Sequence, residues 1–124
     1  MSMRIQLRCL DVEIDGNQYS QIIALDLDGG EFLGSVTLHH KGQRAACIQQ
    51  LYVHNAVRRN RVGSQLIEEC RRISEISGCE TIGLLLTKGN EAAEAFYSLL
   101  GFVFGYQYEN GDALMVQSVC RDSL

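Results

Sequence analysis

Three arginines, Arg58, Arg59 and Arg61, stand within four residues. They lie directly ahead of a segment opening at Val62-Gly63-Ser64 in which apolar residues recur at helical spacing. Upstream lies Ile48-Gln-Gln-Leu-Tyr-Val53, a β-branched and aromatic run, with a short connector from His54 to Val57 between. A strand that delivers the chain to a cationic helix start is a place to hold a phosphorylated ligand. The first-turn N–H groups lack intrahelical partners, and the helix dipole puts partial positive charge beside them. The same arginines could equally form a solvated loop, and by themselves they do not separate the two readings.

The composition bounds what such a site could serve. A chain of 124 residues is long enough for one domain with a real core, and its 46% apolar and 21% charged residues are ordinary for a globular protein. The net charge of −4 gives no general attraction to nucleic acid or anionic membranes, and no aromatic residues interleave the arginines, so neither partner is expected. No apolar run is long enough to span a bilayer, and Met1 to Arg4 lacks the apolar core of a signal peptide. Five cysteines (Cys9, Cys47, Cys70, Cys79 and Cys120) are scattered without metal-ligand spacing. They read as reduced thiols of a cytoplasmic protein, with no metal site. Cys9, Cys47 and Cys70 fall on segments that read as core-facing. A catalytic cysteine would need an activating partner, which the sequence does not place. Proline is absent, so turns are read from Gly, Asn and Asp.

The elements that must position the basic turn follow from periodicity. Met3 to Leu10 alternates as a half-buried strand, and Asp11 to Tyr19, with Gly16-Asn17 inside it, reads as a loop or irregular excursion. Ser20 to Leu27 is a strand, Asp28-Gly29-Gly30 a hairpin turn, and Glu31 to His40 the returning strand. Lys41-Gly42-Gln43 turns the chain again into a strand from Arg44 to Val53. Val62, Leu66, Ile67, Cys70, Ile73 and Ile76 then predict an amphipathic helix, with Gly78 as its left-handed stop. Thr81 to Thr87 is a continuous apolar run, as expected of a central strand buried on both faces. Asn90 is an N-cap, Ala93, Phe96, Tyr97 and Leu100 form the apolar stripe of a second helix, and Gly101 ends it. A final hairpin runs from Phe102 to Gln117 through Glu109-Asn110-Gly111. The class is α/β: one mixed sheet with helices covering it.

This order of elements, with two strings in it, resembles the GNAT superfamily of acyl-CoA N-acyltransferases. The superfamily's pattern Q/R-x-x-G-x-G/A at a helix start falls on Arg58-Arg59-Asn60-Arg61-Val62-Gly63. Its second signature, N-x-x-A-x-x-F/Y-Y-x-x-x-G-F, falls on Asn90, Ala93, Phe96, Tyr97, Gly101 and Phe102. The resemblance implies a single GNAT-like domain over residues 1–124, with a mostly antiparallel sheet, a splayed strand pair, helices on both faces and a short N-terminal part. It also implies transfer of an acetyl group from acetyl-CoA to a primary amine, on a small molecule, a protein lysine or an N-terminus. A second reading is a non-catalytic acyl-CoA-binding or protein-interaction module that kept the fold.

Carried over residue by residue, the resemblance gives the backbone N–H of Leu51 to the oxyanion and Tyr97 to the leaving thiolate. Tyr52 and Val53 would border the pantetheine. Arg58, Arg59, Asn60, Arg61, Val62, Gly63 and Ser64 would hold the pyrophosphate, and Asn90 would cap its helix and reach the pantetheine arm. Two departures stand out. Arg61 occupies the place of the usual middle glycine, where its guanidinium either folds onto a phosphate oxygen or blocks the loop. The strands that often supply a glutamate base offer only Gln49, Gln50 and Leu84 to Leu86. That leaves Glu31, His39, His40, His54 or a water held by Gln49 to take the proton. The short Asp11–Ser20 segment leaves the acceptor side little covered, which fits a bulky acceptor or a homodimer partner that supplies the wall. The exposed edge of the final hairpin also makes a dimer plausible.

Overall fold

The computed structural model describes residues 4–40, 44–54 and 61–119. Its elements run β1 (Ile5–Ile14), β2 (Asn17–Asp26), β3 (Phe32–His40), β4 (Ala45–Val53), α1 (Val62–Ile76), β5 (Thr81–Leu86), α2 (Glu91–Leu99), β6 (Val103–Gln107) and β7 (Ala113–Ser118). The strands form a seven-stranded sheet in the order β1-β2-β3-β4-β5-β7-β6, antiparallel throughout except for β4 and β5. A mixed α/β sheet of this kind is what the sequence predicts. The expected turn at Lys41-Gly42-Gln43 and the residues Arg58, Arg59, Asn60 and Cys120 lie outside the described residues.

The segment expected to be a loop from Asp11 is instead strand. β1 continues to Ile14, and Asp15 (φ 51°) and Gly16 (φ 80°) turn it directly into β2. Two consecutive left-handed residues make the two-residue turn whose twist matches that of flanking strands, so the strands pair over all ten residues. The signal was Asp-Gly one position earlier than the Gly-Asn that stood out.

Register then decides which side chains meet. Ile22, Val36, Leu38, Ala46, Ile48, Ile82, Leu84 and Met115 are all buried and project from one face. Leu66, Ile67 and Cys70 of α1 and Tyr97 of α2 join them in a single core. Both helices therefore lie over the same face. The second face has no helix on it among the described residues, because the β1–β2 turn leaves no chain between these strands to cover it. The expectation that Thr81–Thr87 is buried on both faces fails for the same reason, since Leu85 is 56% exposed. Cys9 is exposed at the sheet edge and Cys47 only half-buried on the open face, so of the three cysteines expected in the core only Cys70 is buried.

α1 ends as its sequence predicts. Gly78 is left-handed (φ 85°), its N–H reaches Glu75 O, and the N–H of Cys79 reaches Ser74 O. No helix among the described residues is long and apolar enough to cross a membrane.

Candidate functional site

β4 and β5 are paired for only four rungs, from Ala45↔Thr81 to Ile48↔Leu84. Beyond them β4 runs on for five residues and β5 for two, without pairing to each other. The divergence opens a cavity of about 490 Å³, walled by Leu51 and Val53 of β4, Leu84 and Leu86 of β5, Gly63 of α1 and Tyr97 of α2, among others.

A bulge shapes the β4 wall. Ser35 pairs with Tyr52 and Thr37 with Gln49, so Val36 stands against two residues, Gln50 and Leu51, that have no rung of their own. Gln50 takes up the extra length in a left-handed conformation (φ 52°). The bulge re-aims the backbone at Leu51, which lines the cavity, as does Val53. Tyr52 is turned to the open face, where its ring stacks on Phe32 with centroids 6.0 Å apart.

The floor is the start of α1. Arg61, the residue before the helix, is left-handed (φ 64°, ψ 17°) and makes no side-chain cap, and the first turn holds no acidic residue. A glycine adopts that backbone freely, whereas a side chain costs about 1–2 kcal/mol there. The middle glycine of the motif therefore has a conformational reason here, and Arg61 bears the strain. Val62 is fully buried beneath the helix start, whereas Arg61, Gly63 and Ser64 line the cavity. A Cβ on Gly63 would lie 3.2 Å from Phe96 Cζ and 3.5 Å from Val53 Cγ2, so a glycine lets α1, β4 and α2 close up at this point.

α2 supplies the far wall. Asn90 Oδ1 accepts from the N–H of Ala93 at 3.1 Å, which makes it the expected N-cap, and Asn90 also borders the cavity. Tyr97 is 8% exposed and sits edge-on to both Phe96 and Phe102, with centroids 5.1 and 5.7 Å away. Gly101 (φ 97°) turns the chain so that the N–H of Phe102 reaches Tyr97 O, and a Cβ there would lie 2.2 Å from Gln117 Nε2. The F-Y-x-x-x-G-F string is thus one clamp on a single phenol. Burial pushes the Tyr97 hydroxyl up to about 12, with the Cys70 thiol nearby as a smaller contribution.

The residues weighed as a base lie elsewhere. His40 Nε2 is 2.8 Å from Ser20 Oγ, which donates to Asp11 Oδ1 at 2.8 Å, far along the sheet under the second half of α1. His39 stacks on Tyr19 at 4.5 Å, Glu31 is an exposed turn residue, and His54 closes β4 with its N–H on Leu33 O. Gln49 faces the open side of the sheet. No Asp, Glu or His is among the described residues that wall the cavity. The sequence reading missed Phe96 as a wall residue and Gln50 as the hinge of the bulge. Phe96 was legible as part of the apolar stripe, whereas nothing in the Gln-Gln pair marks which residue turns left-handed.

No curated protein matches this chain in sequence. Several solved structures share its fold. PaiA N-acetyltransferase of Thermoplasma acidophilum, in complex with coenzyme A, is similar at TM-score 0.73 and 19% identity, over 81% of this chain and 60% of that one. Ard1 of Thermoplasma volcanium is similar at TM-score 0.71 and 20% identity, over 82% and 71%. An aminoglycoside 6′-N-acetyltransferase complexed with coenzyme A is similar at TM-score 0.67 and 17% identity, over 82% and 74%. At these identities the likeness is one of fold. The model of the Acetyltransferase (GNAT) family, however, matches residues 4–102, which hold the bulge, the α1 start and the Tyr97 clamp. With most of its length inside that match, the chain belongs to the GNAT acetyltransferase family.

Proposed function

We propose that the protein moves an acetyl group from acetyl-CoA to a primary amine by direct attack. The observation that carries this reading is the convergence of three unlike features on one cavity: a bulged strand, an uncapped helix start free of acid, and a buried phenol. The helix start takes the pyrophosphate on its unpartnered N–H groups, with Arg61, Gly63 and Ser64 around it and Arg58 to Asn60 just upstream. The pantetheine lies along β4 between Leu51 and Val53, with Asn90 opposite.

The amine nitrogen adds to the thioester carbonyl carbon, and the oxygen takes the electron pair against the N–H of Leu51. Such a donor is worth about 3–4 kcal/mol of barrier. The C–S bond then breaks, the sulfur leaves with its electrons, and the nitrogen gives up one proton while the sulfur gains one. Tyr97 donates to the departing sulfur. A phenol held near 12 is fully protonated at neutral pH, but a thiol near 8.5 is the stronger acid. Outright transfer is therefore uphill, and the phenol acts by a strong hydrogen bond and by passing a proton on as another arrives. With no carboxylate or imidazole on the wall among the described residues, the amine loses its proton to water.

The acceptor side carries no helix among the described residues, so an amine on a protein lysine or N-terminus is admitted as well as a small one. The second reading, a non-catalytic acyl-CoA-binding or protein-interaction module, draws on Arg61 in the place of the middle glycine and on the absence of a base among the described residues that wall the cavity. Calorimetric titration with acetyl-CoA and coenzyme A, followed by an amine panel, separates them. We expect micromolar binding, transfer to at least one amine, and a Tyr97→Phe variant that binds equally well but turns over about 100-fold more slowly. Binding without transfer to any amine or peptide would leave the module. No binding at millimolar ligand would remove both.

A further inference from the structure

Given the proposed transfer, on which this rests, we infer that the cavity selects amines that are already neutral when they arrive, the α-amine of a chain N-terminus before the ammonium of a lysine, and that Gln50 holds the acceptor. The polar side chains on the wall among the described residues are Gln50, Arg61, Ser64, Thr87, Asn90 and Tyr97. Amides, aliphatic hydroxyls and a guanidinium take up no proton at neutral pH. The Tyr97 phenol, pushed up to about 12 by burial, already holds its own. Residues 55–60, which join His54 to Arg61, include no Asp, Glu or His. An ammonium that enters therefore meets no carboxylate among the described residues to pair with, and no group that relieves it of its proton.

Amines differ in how often they arrive neutral. The α-amine of a chain has a pKa of about 7.7–8.0 and the lysine ε-amine one of about 10.4, so at pH 7 about one α-amine in seven is neutral and about one lysine in 2,500. With no base to erase it, that ratio of roughly 350 passes into the rate. The more basic lysine nitrogen is the better nucleophile once neutral, which gives part of the ratio back and leaves about 50-fold.

The bulge decides where such a nitrogen rests. Gln49 faces the open side of the sheet, whereas Gln50, turned left-handed (φ 52°), borders the cavity. Of the β4 residues on the wall, Ile48, Gln50, Leu51 and Val53, it is the polar one. Its carbonyl oxygen accepts an N–H from a neutral amine without removing a proton, and an amide, unlike a carboxylate, gives an ammonium no counter-charge. It also shares a peptide bond with the Leu51 N–H proposed for the oxyanion, so one bulge sets both the nucleophile and the oxygen it displaces charge onto. The nitrogen lone pair forms the C–N bond. The adduct nitrogen then sheds one proton to water as the C–S bond breaks and the sulfur leaves with its electrons.

A library of peptides, each with a free N-terminus and one internal lysine, offered with acetyl-CoA to the full chain, tests this. Mass spectrometry places the acetyl group, and the reaction without protein is subtracted. At pH 7 the ratio of α- to ε-transfer should be about 50, and it should fall about 100-fold between pH 7 and pH 10 as the lysines become neutral. Gln50→Glu supplies the missing carboxylate and should lower the ratio at pH 7 about tenfold, a change that a merely loosened fold, slowing both amines alike, would not give. A ratio near one at pH 7, or one that stays constant to pH 10, would overturn the inference and leave the proposed transfer in place. A ratio unmoved by Gln50→Glu would overturn the role of Gln50. No transfer to either amine by a chain that binds coenzyme A would overturn the proposed transfer and the inference with it.

Discussion

The two helices of this protein begin in opposite ways. α2 starts on Asn90, whose side chain caps the N–H of Ala93, and places Glu91 and Glu94 in its first turn. α1 starts on a left-handed Arg61 with no side-chain cap and no acid in its first turn. A side-chain cap and first-turn acids are present in α2 and missing from α1, though α1 is the longer helix. The difference separates a start built for stability from one whose donors are kept for an anion. The two meet at Gly63, where the bare start rests on Phe96 of the capped helix.

The contrast can be broken most sharply at Ser64. Ser64→Asp gives α1 the acid that α2 already has, and coenzyme A affinity should fall about 100-fold, or about 2.7 kcal/mol, by titration calorimetry. Unchanged affinity would remove the anion role of this start. Next in size is Tyr97, on the capped helix. Its pKa is raised when folded, so the protonated form is favoured in the native state. The stabilisation is complete below pH 10 and is lost as pH rises from 10 towards 12, by ~2 kcal/mol. Denaturation of Tyr97→Phe should lack this alkaline loss.

Asn90→Ala should cost about 1 kcal/mol in chemical denaturation, since it removes the only side-chain cap seen on either helix. Arg61→Gly is the smallest and goes the other way. Relief of left-handed strain, less the added freedom of the unfolded chain, should stabilise by about 0.5 kcal/mol. Coenzyme affinity should drop about fivefold if the guanidinium holds a phosphate; tighter binding would mean that Arg61 obstructs the loop.

Much of this was legible in the sequence because it is local. Asn90, Gly78 and Gly101 mark helix ends whatever else the chain does, and the apolar stripes of α1 and α2 read directly at helical spacing. All seven strands are legible, although the polar residues of Asp11 to Tyr19 read as a loop or irregular excursion and hide a hairpin of two ten-residue strands around Asp15-Gly16. Burial was harder. Leu85 lies in an apolar run indistinguishable from a doubly buried strand, and only the sheet's assembly reveals that it lies exposed on a face with no helix among the described residues. Cys47 failed as a core residue for that same reason, and Cys9 because its strand is the edge of the sheet, although its register puts it on the face that carries the helices. Of the site, the positions that match the motifs could be named in advance, but not the turning away of Tyr52 or the left-handed Gln50, both of which follow from a bulge that only the register with β3 defines.

The four rungs between β4 and β5 also bear on how the chain reaches this shape. β1 to β4 form a meander whose contacts are near in sequence, while in the second half β7 lies between β5 and β6. Only the short parallel pair joins them directly, and it cannot close until α1 has folded back between its strands. Docking of these two halves is therefore the step expected to come late in folding. The seam it makes is the wall of the cavity, so a ligand that bridges β4 and α2 would act as a clasp on the last-formed and first-opened joint of the protein.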